Sequence, residues 1–299
     1  MDWQACTIAV VGGDRREQEI ARQAALTGAR VQAYGFPWPD AGIQGVVHAD
    51  TAAAALSGAH VALFPIPGIA PDGALFAPAL TERIVPTRDM LVAMREPRAI
   101  ILGWADAHLK AAAQDLGIRF HEYEWDKDLM LLRGPAIVEG MLRVIIENTD
   151  FTIHQAQIGV VGQGTIGFLV TRTLIALGAR VSVFARNKVQ RAEAYAAGAQ
   201  SYSLEALEKE AARLDILISS VPHQLVGPAV LEGLPAHALL VDLAAPPGGI
   251  DRDIAKALGL RFVWARGMGS RAPVTVGRSQ WSGIRPRIEA ILGIAPKSA

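Results

Sequence analysis

Near the middle of the chain, four apolar residues, Ile158 to Val161, run directly into glycines 162, 164 and 167 with the spacing G-x-G-x-x-G. This turn needs a strand before it and a helix after it. The first glycine permits the tight reversal, the second lets a pyrophosphate approach the backbone, and the third lets helix and strand pack closely. The anion then rests on the helix N-terminus, where unpaired N–H groups and the helix dipole favour negative charge. Phe168 to Leu177 continue as a helix ending at Gly178, and Arg180 to Phe184 supply the next strand. The expected cofactor contacts here are Gly162, Gly164, Gly167 and the helix-opening Thr165 and Ile166.

The end of the second strand selects the dinucleotide. A site for NAD places a carboxylate about 20 residues beyond the glycines, on the ribose 2′-hydroxyl. The segment here is FARNK, with Ala185 followed by Arg186, Asn187 and Lys188. Cationic and amide donors without an acid suit a 2′-phosphate, which arginine can bind through two parallel hydrogen bonds. NADP is expected over NAD.

Short β-branched runs alternate with alanine-rich stretches of helical period along the whole sequence, the signature of parallel α/β architecture. Strands are predicted at Thr7–Val11, Val31–Tyr34, Val61–Phe64, Ala99–Leu102 and Ile118–His121, then at Ile216–Ser219, Leu239–Asp242 and Arg261–Val263. Gly134 and Pro135 open a predicted helix that ends near Asn148, and another helix runs from about Ile284 to Leu292. The expected fold is α/β, with two Rossmann-like parallel-sheet domains separated by a cleft. Residues 1–134 form a substrate domain, 135–150 a connecting helix, 151–282 an NADP-binding domain, and 283–299 a helix returning to the first domain. Such chains bind ligands outside the carboxyl ends of their strands.

Lysine plus arginine equals aspartate plus glutamate at 29 each, so no basic field for nucleic acid exists. The one cysteine, Cys6, reads as a buried thiol, and its solitude excludes disulfides and cysteine-based zinc sites. No metal site is expected. The N-terminus lacks a basic segment followed by an apolar stretch, and the uncharged run from Thr51 to Pro71 is broken by His60, Pro65 and Pro67. A cytoplasmic chain without a membrane span is expected, and a homo-oligomer is left open.

The strand-end loops supply the remaining candidates. Gly12, Gly13, Asp14, Arg15 and Arg16 follow the first strand without forming a second dinucleotide turn. Gly13, Asp14 and Arg15 are read as holding a substrate carboxylate through backbone donors and a guanidinium, with Asp14 as a plain N-cap the alternative. Phe64 to Gly68 is either a ligand loop or a proline-shaped turn. Ser220, Val221 and Pro222 are expected beside the cofactor, and His223 is a candidate proton donor or acceptor because its ordinary pKa suits that role. Asp242 stands between a cofactor contact and a structural acceptor. After the last strand, Ser270, Arg271 and Thr275 could grip a second carboxylate from a glycine-rich loop spanning Gly267–Gly277.

The order of these motifs resembles the A-subunit family of dipicolinate synthase over nearly the whole chain. The resemblance is carried by VVGGDRREQEIARQ, VEGMLRVIIENTDFTIHQAQIGVVGQGTIG, DILISSVP, VDLAAPPGGID and RGMGSRAPVTVG. It implies two Rossmann-like domains, NADP, and formation of the spore compound dipicolinate from a cyclic dihydrodipicolinate precursor by hydride transfer. It also implies a partner, the flavoprotein-like B-subunit of dipicolinate synthase. Glu139 matches the family's connector motif and is the candidate proton acceptor, with His223 behind it. Pro273, Thr275 and Gly277 also match, whereas Ile137, Gly269 and Val274 depart from the family pattern where substrate is expected. A non-catalytic NADP-binding protein that supports a partner enzyme, or a dehydrogenase of another small carboxylic acid, is the alternative. A 2-hydroxyacid dehydrogenase would need a histidine late in the chain, and none follows His237. A shikimate-dehydrogenase type would need a first-domain lysine, and Lys110 and Lys127 lie in poor context.

Overall fold

The β-branched runs pair in parallel throughout and form two separate six-stranded sheets. A computed structural model describes residues 1–70 and 72–295. Its first elements are β1 (Thr7–Val11), α1 (Arg15–Ala25), β2 (Arg30–Tyr34), β3 (Val46–His48), α2 (Ala52–Leu56) and β4 (Val61–Leu63). Then follow α3 (Arg88–Val92), β5 (Ala99–Leu102), α4 (Ala107–Asp115), β6 (Arg119–Glu122) and α5 (Lys127–Asn148). The second sheet begins with β7 (Gln157–Val161), α6 (Thr165–Ala176), β8 (Arg180–Phe184), α7 (Lys188–Ala196), β9 (Gln200–Tyr202) and α8 (Leu207–Glu210). It ends with β10 (Ile216–Ser219), α9 (Pro228–Glu232), β11 (Leu239–Asp242), α10 (Arg252–Ala257) and β12 (Arg261–Trp264), and helix α11 (Pro273–Leu292) follows.

The chain divides into two compact units, Gly134–Arg271 and the remainder, Met1–Arg133 with the chain from Ala272 onward. The first unit's sheet runs β3-β2-β1-β4-β5-β6 and the second's β12-β11-β10-β7-β8-β9. Read from each unit's own first strand, the two orders are the same. In each, the strand order reverses beside that first strand, which creates the crevice where such sheets place ligands. Central strands such as Ala99–Leu102, Ile216–Ser219 and Leu239–Asp242 are buried at every position, because helices cover both faces of a parallel sheet.

The first unit's core gathers Ile100, Leu102, Leu56, Leu91 and Phe64. The second has one core on each sheet face, one around Ile158, Val160, Val170 and Ile218, the other around Phe184, Leu217 and Leu240. Cys6 is wholly buried, and burial pushes its thiol up to about 12, which leaves it inert at neutral pH.

Two helix boundaries differ from expectation. Gly134 and Pro135 do not open a helix but lie inside α5, which starts at Lys127. Proline removes one intrahelical hydrogen bond, yet the helix continues because Leu129 on one side of it and Ala136, Val138, Met141 and Ile145 on the other are buried. The loop expected over Gly267–Gly277 is a 3₁₀ turn at Met268–Arg271 followed by α11, which has Pro273 in its first turn. This helix starts eleven residues before the expected Ile284 and packs on α1. Trp3 meets Trp281 with ring centroids 6.4 Å apart, Arg119 donates to the Ile291 carbonyl at 2.6 Å, and Gly277 admits α11 against the Arg16 carbonyl.

Candidate functional site

In the second unit the three glycines of the β7–α6 turn have three different surroundings. Gly162 has φ +92°, donates to the Phe184 carbonyl at 2.9 Å, and has no room for a Cβ because Val221 fills that space. A Cβ on Gly167 would overlap the Gly162 carbonyl. Gly164 is different. It is the N-cap of α6, no side chain caps that helix, and nothing lies within 4 Å of where its Cβ would be. The N-terminus of α6 therefore keeps its donors free at an open position, the arrangement that receives a pyrophosphate.

A cavity of about 430 Å³ lies against this turn. Its walls are Gly162–Gly164, Phe184–Asn187, Gln190, Leu204, Ser220–Pro222 and Leu225. Arg186 is exposed and makes no ion pair among the described residues, so its guanidinium is available to an anion. Asn187 caps α7 by accepting from the N–H groups of Val189 and Gln190, which commits its oxygen and leaves only its amide nitrogen for a ligand. Lys188 is exposed in the first turn of α7 and does not line the cavity. Thr165 and Ile166 do not line it either, and Ile166 packs on the second unit's core.

Ser220 faces the turn rather than open space. Its hydroxyl donates to the Val161 carbonyl at 3.2 Å, bracing the end of β7. Asp242 corrects the expectation of a cofactor contact. It is 1 % exposed, and its carboxylate accepts from the N–H groups of Ala244, Gly249 and Ile250 at 3.0, 2.7 and 3.0 Å. It shapes the loop after β11. Burial raises its carboxyl above the ordinary range, and those three donors oppose the shift. His223 is exposed and makes no side-chain hydrogen bond among the described residues. Glu139 and Arg271, both in the second unit, form an ion pair. Ser270 belongs to the 3₁₀ turn with Arg271, whereas Thr275 lies in the first turn of α11 and in the other unit.

The first unit's turn is closed. Gly12 donates to the Tyr34 carbonyl and Gly13 to the Phe76 carbonyl at 2.8 and 2.6 Å. Asp14 is the N-cap of α1 in a full capping box: its carboxylate accepts from the Arg16 N–H, and the Glu17 carboxylate accepts from the Asp14 N–H. Asp14 also takes two hydrogen bonds from the Arg16 guanidinium, each 2.9 Å. The expected backbone cradle on Gly13 and Asp14 is thus overturned, because those donors are already bonded within the protein. Arg15 is exposed, and its side chain forms no ion pair among the described residues.

Glu17 is 1 % exposed, and burial pushes its carboxyl up to about 7 against the pull of Arg16. The charged and titratable groups facing it are Arg16, Asp14 and Tyr123. From the ordinary 4.5 to about 7, the folded chain holds a proton on Glu17 that the unfolded chain has released. This group's stabilisation is therefore complete at low pH and declines as pH rises through that window. Glu17→Gln should remove that slope. In thermal melts from about pH 5 to about pH 8, the wild-type midpoint should fall relative to the variant's as pH rises; a gap widening the other way would refute the assignment.

Among the described residues no group of three or more His, Cys, Asp and Glu side chains is placed to hold a metal, and no helix is long and apolar enough to cross a membrane. Residues 7–124 match the family described as the N-terminal domain of the dipicolinate synthase A-subunit. Residues 145–262 match shikimate / quinate 5-dehydrogenase. The dipicolinate synthase A-subunit of Bacillus subtilis (strain 168) is 29 % identical over 272 residues, covering 91 % of this chain and 92 % of that protein. The crystal structure of the dipicolinate synthase A-subunit from Bacillus halodurans superposes with a TM-score of 0.89 at 27 % identity, over 96 % of this chain and 99 % of that one. The dipicolinate synthase crystal structure from Bacillus subtilis gives 0.85 at 27 %, over 96 % and 97 %.

Over nearly its whole length the chain is similar to dipicolinate synthase A-subunits.

The chain carries a dehydrogenase-type Rossmann fold, the class that holds a nicotinamide cofactor. The shikimate dehydrogenase match covers only the nucleotide-turn portion, so it informs that portion and not the first unit.

Sequence reasoning missed several cavity residues of this dipicolinate synthase homologue. Gln163, inside the glycine turn, is 3 % exposed; its amide oxygen accepts from the Thr171 hydroxyl at 3.0 Å, and its amide nitrogen has no partner. Gln190, Leu204 and Leu225 line the cavity from α7 and from the turns after β9 and β10. Arg191 donates to the carbonyls of Ala185 and Arg186 at 2.9 and 2.7 Å, holding the post-β8 loop. Gln163 carried a signal, a polar amide at the variable position between the first two glycines of the turn. The others carried none.

Proposed function

We propose that this chain is the NADP-dependent oxidoreductase component that forms dipicolinate from a cyclic dihydrodipicolinate-type precursor, in concert with a B-subunit of flavoprotein type. The observation that carries the cofactor half is the open, uncapped N-terminus of α6 beside a cavity whose β8 end presents Arg186 and no carboxylate. An acid at that end would select NAD; a free guanidinium selects a 2′-phosphate. The unpartnered amide nitrogen of Gln163 fits the same reading, since a buried donor without an acceptor is costly unless a ligand supplies one. The carboxylic precursor and the partner rest on the full-length likeness to the dipicolinate synthase A-subunit.

Oxidation of a dihydropyridine dicarboxylate to a pyridine removes a hydride and a proton, and NADP, when bound, accepts the hydride. The protein's own task is to hold the anionic substrate and to take the proton. Arg271 is the candidate anchor for a substrate carboxylate in the second unit, and Arg15 the candidate in the first. Because Arg271 is paired with Glu139, a carboxylate that engages Arg271 displaces Glu139 and frees it to accept the ring proton, with His223 as relay. The same ion pair favours the second reading, a non-catalytic cofactor-binding protein in which Glu139 and Arg271 simply satisfy each other.

The deciding experiment follows NADP reduction by the purified chain with freshly generated dihydrodipicolinate, with and without the B-subunit. Turnover by the chain alone supports the enzyme. Turnover that needs only the partner's active site supports the second reading, and reduction with other small carboxylic acids but not this one removes the substrate assignment. Arg15→Ala should raise the KM for substrate about tenfold, roughly 1.4 kcal/mol, with NADP affinity unchanged. A defect confined to cofactor binding would take Arg15 out of this role.

A further inference from the structure

Both units place a glycine pair or triplet between their first strand and first helix, on sheets of the same strand order. In the second unit the helix start is open at Gly164. In the first, the same place is filled by a side chain of the protein. A Cβ on Gly13 would overlap the Glu17 side chain, including its carboxylate. That carboxylate accepts from the Asp14 N–H at 2.7 Å with one oxygen and from the Ile66 N–H, 49 residues away, at 2.8 Å with the other. Asp14 opens α1, and Ile66 sits in the Phe64–Gly68 loop that follows β4. These are the two strand ends that flank the reversal of strand order in that sheet.

We propose that Glu17 is a built-in acceptor: it takes the place that a ligand's phosphate occupies at the equivalent turn of a nucleotide-binding unit, and it ties the β1 and β4 strand-end loops into one prearranged surface. It follows that the first unit binds no nucleotide at this turn. It also makes Glu17 a positioning residue for Arg15, which leaves the capping box on the next residue after Asp14; this last step alone rests on the function proposed above.

Hydrogen exchange on the unliganded full chain at about pH 8, where the carboxyl is mostly ionised, tests the tie without any substrate. In Glu17→Ala, protection at residues 12–17 and 64–68 should fall together by about tenfold or more, while residues 160–170 keep theirs. Acetate matches the atoms removed, and adding it should restore both segments. Loss at one segment only, no loss, or no response to acetate would overturn the proposal. Glu17→Gln keeps the side-chain shape but turns an amide N–H toward a backbone donor, and it carries the same exchange test if the truncated variant does not fold. With an active preparation, Glu17→Gln should raise substrate KM about tenfold and leave kcat and NADP affinity within about twofold; equal losses in all three would make Glu17 merely structural. Absence of turnover in the wild type, with the exchange coupling intact, would count against the proposed function and not against the tie.

Discussion

Gly164→Asp should abolish cofactor binding and leave the free protein slightly more stable. The two effects have opposite signs because Gly164 does two separable things. As N-cap of α6 it has φ −73° and ψ −168°, a backbone conformation open to any residue, with nothing within 4 Å of a Cβ. An aspartate fits there, can accept from the free N–H groups of the first turn, and adds a negative charge at the positive end of the helix. Capping gains over glycine are a few tenths of a kcal/mol, and the dipole adds about 0.3 to 1. The same carboxylate occupies the opening meant for a pyrophosphate and repels it. A loss on the order of a thousandfold in NADP affinity, about 4 kcal/mol, is expected. Titration calorimetry paired with thermal melts reads both. Affinity within tenfold of the wild type would show that the dinucleotide does not use this turn. Gly162 and Gly167 offer no such separation, since any side chain there collides with Val221 or with the Gly162 carbonyl.

The second large effect concerns which nicotinamide dinucleotide is held. Arg186→Glu should weaken NADP by roughly a hundredfold, about 2.7 kcal/mol, and NAD by no more than about threefold. Arg186 lines the cavity at the end of β8 and has no carboxylate partner among the described residues to release, so its replacement disturbs little in the free protein. The surrounding loop is held independently by Arg191, through the carbonyls of Ala185 and Arg186. Equal losses for the two dinucleotides would mean that Arg186 serves the shared diphosphate or the loop, and the preference for NADP would fall.

These contrasts explain what was legible in the residues. The strands were, because Ala99–Leu102 or Ile216–Ser219 have no other way to bury four consecutive side chains between layers. The glycine turn was, because its spacing answers to backbone geometry alone. The short edge strands Val46–His48 and Gln200–Tyr202 were not, since half-exposed and polar residues pair there only because a neighbour offers its edge. Pro135 misled because a proline reads locally as a boundary, whereas its tolerance inside α5 depends on burial on either side of it; Pro273 does mark a boundary, in the first turn of α11. The first unit's turn was half legible. Asp14 followed three residues later by Glu17 is the signature of a capping box, and the pair of arginines drew attention from it. That Glu17 also reaches Ile66 is a long-range fact that no local pattern carries.

Helix α11 belongs with the unit that opens the chain. During synthesis, residues 134–271 leave the ribosome as an unbroken stretch with every strand of their own sheet in hand. The earlier-made half must meanwhile wait with the Glu19 and Arg16 side of α1 bare, until Arg278 arrives to pair with Glu19 at 2.8 Å and Gly277 to seat against it. A stop codon placed ahead of Pro273 should therefore harm the half that was translated first.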